Sequence, residues 1–306
     1  MFMRSMSLIF FILSLTSCSR PHQTNTTISL PASKTSPRVV VNGNIDVRLY
    51  TGEAKPRVLL HGDASSLAAV QVSLHNGLWY INVGKGYPHT GRIQAEIRTR
   101  YLTSFAYHGE GTVMADNLQS GRLDLSINNT GKTILLGKFN LQKLLVSGSG
   151  FTQISGVTGH GCQIKLTGKP HVRVAGIINV SSLYMEGKSS LSLYWVKSNY
   201  LKIRAKDNAF LQVAGTVGTL DLALEDHARF NGRYLRGTDV FVKTFGHAVA
   251  DICVTKTQHT LASGASNIYF HNLPKMKADF MAWNGAVLDM REWESPELKE
   301  YTPYNR

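Results

Sequence analysis

Apolar and polar residues alternate along most of this chain, and between residues 102 and 290 the alternation recurs in every 18 to 20 residues. One core apolar position in each repeat serves as a register mark. Alternation with a period of two is typical of a β-strand that buries one face. The pattern therefore predicts short strands stacked in successive coils. The marks are Phe105, Leu125, Leu144, Ile164, Leu183, Ile203, Leu222, Val242, Thr260 and Phe280.

The residue four positions after each mark is always Gly, Asn or Asp, the types that best tolerate a left-handed backbone. Two positions later the residue is always small, as the inside of a tight corner requires. We therefore expect an all-β fold, a parallel β-helix-like solenoid of about ten coils of 19–20 residues. The alternative is a β-sandwich or prism of antiparallel hairpins, which the aligned turn positions disfavour.

The segment before the repeats, residues 39–99, reads as short antiparallel strands. Asn42-Gly43 and Asn76-Gly77 are dipeptides typical of two-residue hairpin turns. The first is expected to join strands at 39–41 and 45–49, and the second to join strands at 70–74 and 78–83. After Met290 the period stops, and Ser295-Pro296 predicts a short helix in a C-terminal cap or tail over 291–306.

The N-terminus has the features of an export signal. Residues 1–18 combine Arg4 with a short apolar run and end in Leu15-Thr-Ser-Cys18, which resembles a bacterial lipobox. This predicts lipidation of Cys18, anchoring to a membrane and, from Ser19, an outer-membrane location. The alternative is a plain secretory signal with an incidental cysteine. Residues 19–38 are rich in Ser, Thr, Pro and Asn and predict a flexible tether.

Residues 39–290 resemble the bacterial auto-transporter adhesin head domain, also called the GIN domain. The resemblance rests on Gly43-Asn-Ile-Asp-Val-Arg-Leu49, the strand 77–83, Gly109-Glu-Gly111 and Gly148-Ser-Gly150. It implies a β-helical head on an exported, often lipid-anchored protein. The family has no established reaction, so the resemblance implies no catalytic residues. After residue 165 the glycine turns give way to turns such as Gly168-Lys-Pro170.

Charge points towards an anionic partner, because the formal net charge is +13. Export makes nucleic acid an unexpected partner and leaves an acidic glycan or the phosphates of lipopolysaccharide. Several basic residues share neighbouring polar columns beside the predicted corner, and we call this set the basic stripe. The alternative is that these residues belong to a generally basic surface. The basic stripe comprises Lys169, His171, Arg173, Lys188, His227, Arg229 and His247.

Asp207 and Asp226 occupy the turn column in adjacent coils, so their carboxylates are expected about 5 Å apart. Such a pair suits glycoside hydrolysis or Ca²⁺ binding, whereas the simpler interpretation is that both residues form turns. Cys162 and Cys253 fall four coils apart in the register, too far for a disulfide, and are expected to be free thiols.

No phosphate-binding loop, nucleophile elbow or zinc-ligand spacing is present in the sequence. We therefore predict no cofactor, no metal site and no enzyme. The expected function is a non-enzymatic envelope lipoprotein that binds or adheres to an anionic envelope or host component. A polysaccharide-acting enzyme and a structural component of envelope assembly are the alternatives.

Overall fold

A computed structural model of the chain describes residues 25–31, 38–89, 91–272 and 277–290. The fold is all-β and a parallel β-solenoid, as predicted, and it has about nine turns where about ten coils were expected. Its one described helix, α1, is short and covers Ala64–Ala68. The strands are β1 (Asn25–Pro31), β2 (Arg38–Asn42), β3 (Ile45–Tyr50), β4 (Arg57–Asp63), β5 (Val70–His75), β6 (Leu78–Val83), β7 (Ile93–Arg98), β8 (Ser104–Gly109), β9 (Val113–Asn129), β10 (Lys132–Gly148), β11 (Phe151–Leu166), β12 (His171–Met185), β13 (Ser190–Ala205), β14 (Phe210–Leu224), β15 (Arg229–Thr244), β16 (Val249–Ser263), β17 (Asn267–Asn272), β18 (Lys277–Trp283) and β19 (Ala286–Asp289).

The predicted register of the repeats is confirmed. Each register mark lies directly opposite the mark of the next coil in a parallel ladder, from Phe105 opposite Leu125 to Thr260 opposite Phe280. Nine of the ten marks are buried, whereas Phe280 in the last coil is 46% exposed. The period-two alternation therefore forms one continuous apolar core along the axis of the solenoid.

The predicted turn column forms the first corner of each coil. Eight of its ten residues have a positive φ, including Gly148 at +91°, Asp207 at +59° and Asp226 at +60°. The exceptions are Gly109 and Asn129. A Cβ on Gly109 would lie 2.1 Å from the carbonyl oxygen of Gly43, so this glycine is required by close contact between coils and not by its φ.

A second corner, twelve residues after the mark, was not predicted. Gly156, Gly176 and Gly215 each have a positive φ there. A Cβ on any of them would lie within 2.1 Å of a carbonyl oxygen in the coil below. Trp195 holds the equivalent place in its coil with φ +69°. Because one repeat has a tryptophan at this corner, the sequence pattern is less regular here than at the first corner.

The prediction of a hairpin at Asn42-Gly43 is wrong. β2 and β3 do not pair with each other; β2 lies in parallel between β6 and β8, while β3 lies in parallel between β7 and β9. The two strands form a further coil of the solenoid, and Gly43 makes its corner with φ +100°. The dipeptide is typical of tight turns in general, and here the chain turns to continue a coil.

The second hairpin prediction is confirmed, because β5 pairs antiparallel with β6 across Asn76-Gly77. Antiparallel strands also lie beside β7, which pairs with β4, and β4 in turn pairs with β1. The flexible tether predicted over 19–38 therefore does not hold for Asn25–Pro31, which forms β1. Residues 1–24 lie outside the described residues, and so does the predicted lipidation site.

The last coil, formed by β18 and β19, has large apolar side chains in contact with solvent. Met281 is 59% exposed and Trp283 75% exposed. The predicted cap over 291–306 lies outside the described residues and stays a prediction.

Candidate functional site

The structure places the basic stripe on four of five successive coils. Four of its members donate their backbone N–H to the carbonyl of the first-corner residue one coil earlier, over 2.6 to 2.9 Å. These four occupy one column along the solenoid, interrupted once by Asn208. With coils about 4.8 Å apart, the column extends over roughly 19 Å. The four stripe residues in this column are Lys169, Lys188, His227 and His247.

The remaining members of the basic stripe lie on the adjoining strands. His171 and Arg229 share the next exposed column, in the register His171, Ser190, Phe210, Arg229. Arg173 follows two residues after His171 on β12. All seven side chains of the stripe are exposed to solvent. The structure therefore brings the residues of the predicted stripe together on one side of the solenoid.

Within the described part of the chain, no ion pair involves a side chain of the basic stripe. The rings of His227 and His247 stack on each other with their centroids 5.1 Å apart. By contrast, Lys206 lies 3.5 Å from the carboxylate of Glu186 beside the corner. The four Lys and Arg side chains of the stripe therefore have no ion-pair partner among the described residues and are available to a partner in solution.

Asp207 and Asp226 hold the corner together. The carboxylate of Asp207 accepts a hydrogen bond of 2.8 Å from the backbone N–H of Gly187, one coil earlier. The carboxylate of Asp226 accepts one of 3.2 Å from the backbone N–H of Asp207. Both residues adopt the left-handed backbone of a turn. This geometry favours the turn interpretation over a catalytic pair, because each carboxylate already caps a backbone donor.

The two cysteines of the described residues are free, as expected. Burial raises the pKa of the Cys162 thiol to about 12. Burial also raises the pKa of Cys253, although the nearby charge of Arg236 opposes the shift. A nucleophile or metal ligand must be a thiolate, so neither thiol is activated at neutral pH. Among the described residues, no group of three or more His, Cys, Asp or Glu side chains is placed to hold a metal ion.

Two exposed apolar features were missed by the sequence analysis. Phe210 is 39% exposed in the coil between Lys188 and His227. Trp195 and Ile177, at the second corner, are 70% and 69% exposed. The only sequence signal for the exposure of Phe210 was that a phenylalanine stands at a position where the alternation places polar residues. Nothing in the sequence marked the second corner at Trp195.

A separate cleft of about 250 Å³ lies where the first coils meet. It includes Asp46, Arg92 and Glu110. Asp46 already accepts a hydrogen bond of 2.7 Å from the backbone N–H of Thr112 and lies 3.5 Å from Arg92. The carboxylate of Asp46 therefore stabilises the local backbone. The cleft is formed by different residues from the basic stripe.

No helix in the described ranges is long and apolar enough to cross a membrane. A search of curated proteins found no match to the chain. Solved structures with a similar chain path include putative adhesins from Parabacteroides merdae (12% identity, TM-score 0.44, covering 87% of this chain and 95% of that one) and Parabacteroides distasonis (11% identity, TM-score 0.45, 87% and 98%). A putative lipid binding protein from Parabacteroides distasonis is similar at 10% identity and a TM-score of 0.43, with 86% and 96% covered. Because these scores lie below 0.5, the fold argument rests on the strand pairing described above.

A family model described as "Putative auto-transporter adhesin, head GIN domain" matches residues 37–181 and 162–274. The two matches together span most of the solenoid, including the coil formed by β2 and β3. The family is described as an adhesin head and not as an enzyme. The chain belongs to this family of GIN-domain adhesin heads.

Proposed function

We propose that the protein is a non-enzymatic lipoprotein of the cell envelope whose solenoid head binds an anionic polymer along the basic stripe. The polymer is an acidic glycan or the phosphate-bearing part of lipopolysaccharide, in the envelope or on a host surface. The observation that carries this proposal is the exposure of seven basic side chains, without ion-pair partners among the described residues, on one side of the solenoid.

The repeat of the fold suits a polymeric ligand. Successive coils present side chains at a constant spacing of about 4.8 Å, so a chain lying along the axis meets similar groups at regular steps. The Lys and Arg side chains of the stripe attract such a polyanion over a long range and in a salt-dependent way. The carboxylates of Asp207 and Asp226 lie at the adjacent corner and accept hydrogen bonds from the backbone. An ion pair at an exposed position contributes little, and binding therefore depends on several contacts acting together.

The enzymatic alternative is less well supported. Its candidate carboxylates, Asp207 and Asp226, accept hydrogen bonds from the backbone and form the corner. The family description supports adhesion. The membrane anchor rests on the lipobox ending in Cys18, and a Cys18→Ser protein that still partitions with membranes would contradict it.

Binding of the full-length protein in detergent to hyaluronan and to polyphosphate tests the anionic-polymer proposal. These probes represent carboxylate and phosphate polymers. The double variant Lys188→Gln/Arg229→Gln should weaken binding about tenfold, because two exposed ion pairs contribute up to about 1 kcal/mol each. Raising the salt concentration should weaken the wild-type complex.

The matched control is Lys143→Gln/Lys243→Gln, which removes two exposed charges near the register marks of other coils. It should change binding less than about twofold, since only general attraction is reduced. Equal losses in the two double variants would show that the whole basic surface, and not the basic stripe, attracts the polymer. Absence of binding to both probes would reject the proposal.

A further inference from the structure

One coil within the span of the basic stripe has no basic residue at the stripe positions. In the coil of Ile203 the side chains at the stripe positions are Asn208, Phe210 and Gln212. Asn208 is exposed and Gln212 half-buried, while Phe210 is 39% exposed. An aromatic ring between two amides therefore occupies the centre of a surface that is basic on both sides.

The register fixes the place of this ring relative to the charges. Phe210 lies directly opposite Ser190 in the coil of Lys188, and directly opposite Arg229 in the coil of His227. Each step is about 4.8 Å. Along the solenoid, the coil with Lys188 is followed by the coil with Phe210, which has no basic residue at the stripe positions. The coil with Arg229 comes next.

Phe210 also differs from a similarly exposed phenylalanine elsewhere. Phe241 is 43% exposed, and its ring stacks on the ring of His259 at 4.9 Å with an angle of 10° between the planes. In the described part of the chain, none of the ring contacts involves Phe210. Because 39% of Phe210 is exposed and no described ring stacks on it, part of this side chain is accessible to a ligand.

We propose that Phe210 stacks on a neutral sugar ring of a polysaccharide whose acidic sugars lie on the basic stripe to either side. This inference rests on the proposed function and specifies its ligand class. The C–H face of a pyranose is apolar and packs against an aromatic ring, while its hydroxyl groups need donors and acceptors at the ring edge. Asn208 and Gln212 supply both, since each amide donates and accepts.

The dimensions of the polymer agree with this assignment. A pyranose unit advances a polysaccharide by a length similar to the spacing of about 4.8 Å between coils. A chain along the axis can therefore place one sugar on each coil. Acidic sugars would meet Lys188 on one side and His227 with Arg229 on the other, with a neutral sugar between them on Phe210. The expected ligand class is a polysaccharide in which neutral sugars separate acidic ones.

The test compares hyaluronan, in which acidic and neutral sugars alternate, with polyphosphate, which has charge but no sugar. Using the full-length protein in detergent, Phe210→Ala should weaken hyaluronan binding about tenfold and change polyphosphate binding less than about twofold. Phe210→Tyr keeps the ring and should stay within about twofold of wild type on both probes. The matched control is Phe241→Ala, which removes a similarly exposed ring and should affect neither.

The outcomes separate this inference from the proposed function. Wild-type binding to polyphosphate without binding to hyaluronan would reject the sugar contact and leave the anionic-polymer function standing. Unchanged hyaluronan binding by Phe210→Ala, or an equal loss on both probes, would also reject the sugar contact. Binding of neither probe would reject both proposals.

Discussion

The regular array and the segment before it build the same solenoid in different ways. From Phe105 to Ala262 each coil pairs with the next coil of the chain. In residues 38–98 the spatial order departs from the sequence order. The coil of β2 and β3 comes first in the chain, yet it lies between the later coil of β6 and β7 and the array.

This difference shows what a repeat can specify. In the array, equal spacing between apolar residues is sufficient, because each coil buries its apolar face by stacking on its sequence neighbour. In 38–98 the contacts that fix the order are made across distant parts of the chain. Gly43, for example, lies against Val83. Changes at such contacts should therefore be more costly than similar changes where the backbone is open to solvent.

The largest effect is expected for Gly43→Ala. The new Cβ would lie 2.3 Å from Cγ1 of Val83 and 2.8 Å from its carbonyl oxygen, at a φ of +100°. Overpacking and the strained backbone together should lower the free energy of unfolding by about 4 kcal/mol. Urea denaturation followed by circular dichroism measures this loss.

Gly52→Ala is the matched control for Gly43→Ala. Gly52 also has a positive φ, +89°, but nothing lies within 4 Å of its would-be Cβ. It should cost only about 1 kcal/mol, from backbone strain alone. If both substitutions had the same effect, β2 and β3 would not be held against the coil of β6 and β7.

A smaller effect is expected for Tyr107→Phe, which tests the junction between the two regions. The buried hydroxyl donates to the carbonyl of Ile45 at 2.9 Å and accepts from the backbone N–H of Gly111 at 2.7 Å. Burial raises the pKa of Tyr107 to about 12, so the hydroxyl stays protonated at neutral pH. Losing it leaves two buried backbone groups without this partner and should destabilise the fold by about 2–3 kcal/mol.

The control for the junction is Tyr200→Phe in the array, measured by the same urea titration. Tyr200 is 48% exposed and donates a longer hydrogen bond, 3.3 Å, to Asp221. Its loss should change the free energy of unfolding by less than about 0.5 kcal/mol, as for most surface substitutions. An equally small effect of Tyr107→Phe would show that the first coil does not depend on this link.

The smallest effect, and the only gain, is expected where the array departs from its own repeat. Trp195 occupies the second corner of its coil with φ +69°, and its side chain is largely exposed to solvent. Trp195→Gly relieves the strain and should raise the free energy of unfolding by up to about 1 kcal/mol, less the entropy that glycine gains in the unfolded chain. Thermal unfolding measures the gain as a higher midpoint.

The control for Trp195 is Asp207→Gly at the first corner. Asp207 also has a positive φ, but its carboxylate accepts the hydrogen bond from Gly187, so glycine should bring no gain there. A lower midpoint for Trp195→Gly would mean that the indole packs against the solenoid and contributes to its stability.

The sequence by itself determined the fold class, the register marks and the first corner. Its period-two alternation places apolar residues on one face, and Gly, Asn and Asp recur where the backbone is left-handed. It also placed the basic stripe, because residues at one position of a repeat stack in one column. For Asp207 and Asp226 it left two interpretations open, and the hydrogen bonds of their carboxylates favour the turn.

Only the tertiary structure decided the order of the first coils and showed the second corner and the exposed ring of Phe210. Asn42-Gly43 is compatible with a hairpin or with a corner, and the local sequence does not distinguish them. The choice depends on which distant strands complete the ladder on either side of β2, where β6 and β8 bury Val39 and Val41. That burial is a property of the assembled sheet, because apolar surface is removed from water only when all its neighbours are in place.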